Sequence, residues 1–148
     1  MTPDPQKCLS ESKRVLKDGG VLVCSSWQGS QWIDLMKLVS RVRSDKKLPE
    51  IPKEWQSVDL LQTQLEKAGF KDVEGHRVET KMTFEKLEPL ADFMLTKMPH
   101  MIMLTEDFSA DERAKLKAVF VEEGKKMCSD EPGEFYGVAL VAVGRKRE

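Results

Sequence analysis

The residues able to do chemistry are few and far apart in the sequence. His100 sits in the apolar segment TKMPHMIML, where a neutral imidazole could take a proton from an acceptor hydroxyl or amine. The plainer alternative is a loop histidine with one ring nitrogen bonded to backbone. His76 alternates with polar positions and reads as a structural strand residue. Ser25 and Ser26 close an apolar run; with no accompanying His and Asp arrangement they read as hydrogen-bonding or turn residues at the rim of a pocket. Trp27, Trp32, Phe93, Met94, Met98, Met101, Met103 and Tyr136 are the side chains suited to lining an apolar pocket, methionine filling irregular space. Core packing is the competing use for most of them. Glu122 and Glu123 could supply a carboxylate base and are most simply a solvated helix face. With 2 histidines and 3 scattered cysteines, none of the short spacings that hold zinc is present, so no metal is expected.

Composition narrows the classes further. A length of 148 residues suits a single domain over 1–148, and 40% hydrophobic with 33% charged residues describes a water-soluble globular chain. A net charge of -1 gives no electrostatic handle for nucleic acid. The longest apolar run, near the C-terminus, is far short of the roughly 20 residues of a membrane helix, and the opening MTPDPQKC has no apolar signal core. Cys8, Cys24 and Cys128 show no C-x-x-C pairing, which fits buried thiols in a reducing, cytoplasmic setting.

The elements that must position these residues begin with the stretch from Glu11 to Trp27, ESKRVLKDGGVLVCSSW. Leu9, Ser12, Val15 and Leu16 fall at helical spacing, with Pro3 and Pro5 suited to the lead-in or first turn. Gly19 and Gly20 stop the helix and reverse the chain. Val21 to Cys24 is apolar at every position, which predicts a strand covered on both faces, with Ser25, Ser26 and Trp27 just beyond its carboxyl end. Trp32, Leu35, Met36 and Val39 predict one helix to about Arg43, and the charged segment to Glu54, broken by Pro49 and Pro52, reads as a loop. Ser57 is an N-cap for a helix ending at Gly69, with Phe70 folding back on Leu65. His76, Val78, Thr80, Met82 and Phe84 predict the hidden face of an edge strand. A helix from Glu85 to Lys97 buries Leu87, Leu90, Phe93, Met94 and Met98 and ends at Pro99. Ser109 and Glu112 form a capping box for the next helix, and Phe135 to Val143 reads as a central strand.

Two of these blocks carry a resemblance. ESKRVLKDGGVLVCSSW is similar to the E-x-x-R-V-L-K-P-G-G helix and turn that feeds the fifth strand of class I S-adenosylmethionine-dependent methyltransferases, with Asp18 in place of the proline. WQSVDLLQTQLEKAGFKDV, from Trp55 to Val73, is similar to that family's helix ending in A-G-F before the sixth strand. The resemblance covers most of the chain and only the C-terminal half of the family's domain. It implies an α/β fold: part of a Rossmann-like sheet made of the fifth, seventh and sixth strands, the last strand antiparallel between the others, with flanking helices and a helical cap at about 85–130. It implies S-adenosylmethionine as cofactor and a small apolar acceptor bound by Ser25, Ser26, Trp27, Trp32, Phe93, Met94, Met98, Met101 and Tyr136, with His100 as the catalytic candidate. The family's cofactor loop follows its first strand; no G-x-G occurs here, so cofactor-binding residues cannot be named. Three functions stay open: a methyltransferase completed by a partner or further sequence, a cofactor-free fold that binds a small molecule and promotes a cyclisation or isomerisation, and a non-catalytic subunit paired with a full-length methyltransferase. An unpaired apolar strand edge also predicts a homodimer or a methyltransferase partner.

Overall fold

Asp4 accepts a hydrogen bond from the backbone N–H of Lys7 (2.9 Å) and so starts helix α1 (Pro5–Val15) in the computed structural model, which describes residues 4–147. Pro5 occupies the first turn as expected, while Pro3 lies outside the described residues. The helix closes at Leu16, and the chain reverses through Gly19, whose φ of 77° is the left-handed conformation, and Gly20, where a Cβ would fall 2.7 Å from the Lys17 carbonyl oxygen. Strand β1 (Val21–Ser30) leads straight into α2 (Gln31–Lys37), the Ser30 hydroxyl accepting from the Ile33 N–H at 3.2 Å. The single helix expected to Arg43 is two: α2 and the short α3 (Val39–Val42) are parted at Leu38, whose N–H bonds back to the Leu35 carbonyl in a tightened turn that buries both Leu38 and Val39.

A short 3-10 turn (Lys53–Trp55) precedes α4 (Val58–Lys67), capped by Ser57 as expected. Gly69 (φ 86°) stops α4, and the Phe70 N–H returns to the Leu65 carbonyl at 3.0 Å. Strand β2 (Lys71–Phe84) is followed by α5 (Leu87–Lys97), α6 (Pro99–Leu104), α7 (Ala110–Met127) and β3 (Gly133–Arg145). Ser109 and Glu112 cap α7 reciprocally, at 3.2 Å and 2.8 Å. The strands form a sheet in the order β1-β3-β2, with β3 antiparallel to its neighbours: the mixed α/β class and central final strand that the resemblance implies.

The described residues form two compact units. The first comprises the chain up to Gln28, Ile51–Glu79 and the chain from Val138; Leu9, Leu61, Leu65, Phe70, Leu140 and Ala142 make its core. The second comprises Gly29–Glu50 and Thr80–Gly137, with a core built on Leu35, Leu87, Met94, Met101, Leu116, Phe120 and Phe135. The helices at 85–130, expected as a cap, all belong to the second unit.

Several expectations are corrected. β1 is not covered on both faces: Val21 is 43% and Val23 61% exposed, because α1 and α4 lie against only the side bearing Leu22 and Cys24. The strand runs to Ser30, so Ser25, Ser26 and Trp27 lie within it and not beyond its end. His76 and Val78 are exposed, and burial along that face of β2 begins only at Thr80 and Met82 and is complete at Phe84. Pro99 does end α5, and it also opens α6, its missing N–H harmless in a first turn. Phe93 is 55% exposed; Ala91 and Met94 take the buried positions of α5, a face rotated from the one expected.

Candidate functional site

The structure places Ser25 and Ser26 in the middle of an extended strand, with side chains on opposite faces. On the side that packs against α1, a cavity of about 260 Å³ opens, lined by Pro5, Cys8, Leu9, Cys24, Ser25, Ser26, Ile51, Pro52 and Trp55. Pro5, Cys8 and Leu9 come from α1 at the three- and four-residue spacings that share one helix face. Cys24 to Ser26 come from β1, and Ile51 to Trp55 close over from the loop ahead of α4. The lining is largely apolar, with two thiols and the Ser26 hydroxyl as its polar side-chain groups; Ser25, whose side chain is on the other face, borders it through its backbone. Burial pushes the Cys24 thiol up from its ordinary pKa, outweighing a backbone hydrogen bond from Ala142 that acts the other way. Cys24 is therefore a neutral, weakly nucleophilic lining group. Such a cavity suits a small apolar molecule held by one or two hydrogen bonds.

Of the residues singled out in the sequence, this cavity gathers Ser25 and Ser26. Trp27 follows them on β1, half-buried, without lining it. His76 is exposed on β2 in the first unit, and the others lie in the second unit. Met94 and Met101 are fully buried in its core, while Trp32 and Met98 are half-buried against it. Phe93 is exposed, as is Met103. Tyr136 is 60% exposed, and its hydroxyl donates to the Glu134 carboxylate at 3.0 Å. Glu134 also pairs with Lys81 at 2.5 Å; these two donors lower the Glu134 pKa, and the carboxylate raises those of Tyr136 and Lys81. Tyr136 is thus held protonated. His100 is the second residue of α6 and half-buried; it lines neither the cleft at Thr83 to Glu85 and Pro132 to Glu134 nor the one between α5 and α7. Among the described residues no group of three or more His, Cys, Asp or Glu is placed to hold a metal.

Sequence reasoning missed Pro5, Cys8, Leu9, Ile51, Pro52 and Trp55 as lining. One signal was available: Trp55 is an aromatic in an otherwise charged loop, where solvent gives it no reason to be.

The adenosyl cofactor fits poorly on these residues. Its loop should follow a strand and precede a helix, yet the glycine pair precedes β1 and Ser30 joins β1 to α2 with no loop between.

No family model matches the chain. Among curated proteins it is 36% identical over 144 residues to Methyltransferase ucsB of Acremonium sp, a match over 97% of this chain and 50% of that protein. It is 24% identical to Methyltransferase ktnA of Aspergillus niger, over 97% of this chain and 51% of that protein, and 26% identical to Methyltransferase tpcH of Aspergillus fumigatus, over 99% and 55%. Similar solved structures include BH2331 of Bacillus halodurans (21% identity, TM-score 0.49, 99% of this chain and 59% of that one) and YcgJ of Bacillus subtilis (14%, 0.46, 99% and 59%). The chain spans about half the length of the curated relatives it matches. Among the described residues no helix is long and apolar enough to cross a membrane.

Proposed function

We propose that the chain corresponds to the C-terminal half of a methyltransferase, a reading supported by its match to half the length of Methyltransferase ucsB, and that it forms the acceptor side of an enzyme that methylates a small, largely apolar molecule from S-adenosylmethionine, with residues outside this chain holding the cofactor. The observation that carries this reading is the cavity between α1, β1 and Trp55: its lining is largely apolar, its volume of about 260 Å³ leaves room for a small molecule only, and it is built on the segment that carries the resemblance. The Ser26 hydroxyl would orient the acceptor by a hydrogen bond, and Trp55 would cover it. His100 remains the candidate proton acceptor, and its role is separable by His100→Gln in a reconstituted assay. Three free cysteines support a reducing, intracellular setting.

A second reading uses the same cavity. A cofactor-free ligand binder that promotes a cyclisation or isomerisation needs nothing more, and a non-catalytic subunit of a full-length methyltransferase could use the same surface.

Calorimetric titration with S-adenosylmethionine separates these. The first reading expects no saturable binding to the chain alone and binding once the complementary half of a relative is added. Saturable binding to the chain alone would overturn the division of labour, and no binding in either case would favour the cofactor-free reading. For the cavity, titration with 1-naphthol should quench tryptophan fluorescence in the native chain and not in Ser26→Trp, where the indole fills the space.

A further inference from the structure

Cys8 and Cys24, both free thiols, front one cavity. Cys8 comes from α1 and Cys24 from β1, so the two sulfurs belong to the two elements that wall it. Leu9, next to Cys8, is part of the core cluster against which Cys24 packs, so helix and strand already meet at this level. Burial is the main cause of the raised pKa of Cys24, and the negative charge of a Cys8 thiolate adds to it, an effect that needs the two groups to be near each other. Their access differs: Cys8 is exposed and Cys24 half-buried. An exposed thiol with a shielded one beside it is the arrangement in which the first meets an oxidant and the second resolves the adduct. Cys128 belongs to the second unit, where its thiol donates to the Asp130 carbonyl at 3.7 Å.

We propose that Cys8 and Cys24 form a reversible dithiol switch: a low-molecular-weight disulfide oxidises them to a disulfide that staples α1 to β1 and closes the cavity. The Cys8 thiolate attacks one sulfur of the small disulfide, whose S–S bond breaks and whose other half leaves as a thiolate and takes up a proton. Cys24 then gives its proton to water, and its sulfur attacks the Cys8 sulfur of the mixed disulfide, releasing the second small thiol. The protein loses two electrons and two protons, and the oxidant gains both. Ring closure requires the two α-carbons to come within about 7 Å of each other, so the bond reports directly on how closely α1 can approach β1. A reducing compartment keeps such a pair as thiols, which makes the open cavity the resting state and oxidation the signal. The switch goes beyond the proposed methyl transfer and needs only the cavity and its two thiols.

The test incubates the purified chain with graded ratios of glutathione to glutathione disulfide and maps its peptides by mass spectrometry without reduction. A peptide pair joined through Cys8 and Cys24 is expected, with a thermal midpoint raised by about 5 °C or more and both effects undone by dithiothreitol. Affinity for 1-naphthol, read by tryptophan quenching, should fall about tenfold or more in the joined chain. Cys24→Ser should stop at a glutathione adduct on Cys8, and Cys8→Ser, a change at an exposed position, should give no joined pair. A Cys8 adduct that the native chain never resolves, a bond to Cys128 in its place, or a joined chain that binds 1-naphthol as well as the reduced one would each overturn the proposal. If the reduced chain binds no 1-naphthol, the acceptor reading of the cavity falls and hydrogen exchange judges the switch: α1 amides slowed about tenfold by oxidation uphold it, and unchanged ones overturn it.

Discussion

The indole of Trp32 lies against Gly137 so closely that a Cβ there would fall 2.5 Å from the ring's Cη2 and 2.6 Å from Cβ of Ser30. The tryptophan's place in the second unit therefore depends on the absence of a side chain across from it on β3. Trp32 also packs against that unit's core, so its bulk serves structure first. Gly137→Ala should lower stability by about 1–3 kcal/mol through overpacking, measured by urea denaturation. Unchanged stability would mean the indole moves aside freely.

Lys146 tells of a different dependence. Its ammonium donates to the Leu16 carbonyl at 2.8 Å and pairs with Asp18 at 3.4 Å, while the Arg145 guanidinium donates to the Gly19 carbonyl at 2.9 Å. A cation at the negative end of α1 is worth about 0.3–1 kcal/mol. Lys146→Ala should cost that much in thermal unfolding; Lys146→Met, which keeps the stem, should recover only the packing share. Equal stability of both variants with the native chain would remove the cap from the account.

Acid should loosen the second unit through Arg43. This guanidinium bonds Asp45 at 2.8 Å, reaches Asp107 and Glu112 at 3.4 Å and 3.6 Å, and sits 5.6 Å from the centre of the Phe108 ring. The hydrogen bond from Arg43 lowers the Asp45 pKa to about 2. A folded-state value below the unfolded one, about 3.9, gives a contribution fully present above pH 4 and lost as the pH falls toward 2. NMR titration of the Asp45 carboxyl should show the low midpoint, and Arg43→Ala should return it toward the ordinary value. A midpoint near 4 in the native chain would contradict the pairing.

The two thiols of the first unit's cavity should react in order. Cys8 is exposed, whereas burial raises the pKa of Cys24 and so depletes its thiolate. Iodoacetamide at pH 8, followed by peptide mass spectrometry, should label Cys8 well before Cys24, and 1-naphthol should slow both. Equal labelling rates would place Cys24 outside the cavity wall.

Features set by neighbours in sequence were legible without coordinates. The Ser57 cap, the box of Ser109 and Glu112 and the stop at Gly69 and Phe70 each need only a few adjacent residues to satisfy local backbone donors and acceptors. The strand order came through the resemblance, and β3 as the central strand through its unbroken apolar run. The reading of β1 failed for a physical reason: Val21 and Val23 show that a face wants cover, and their pattern says nothing about which polypeptide provides it. Ser25 and Ser26 were put past the strand's end and lie within it, since small polar residues are as compatible with an edge strand as with a turn. Phe93 and Tyr136 could not be separated from Met94 and Phe135 by composition. Only packing decides which way each element faces.

The first unit is assembled from three separate stretches of sequence, and its part of β3 is translated after all of the second unit. On the ribosome, α1, β1 and α4 must therefore wait, with Leu61 and Leu65 lacking Leu140 and Ala142, while the second unit already has every residue it needs. Vectorial synthesis thus favours a half-finished state in which the later-numbered region has folded and the earlier-numbered one is still sticky, the interval in which a chaperone would be most useful.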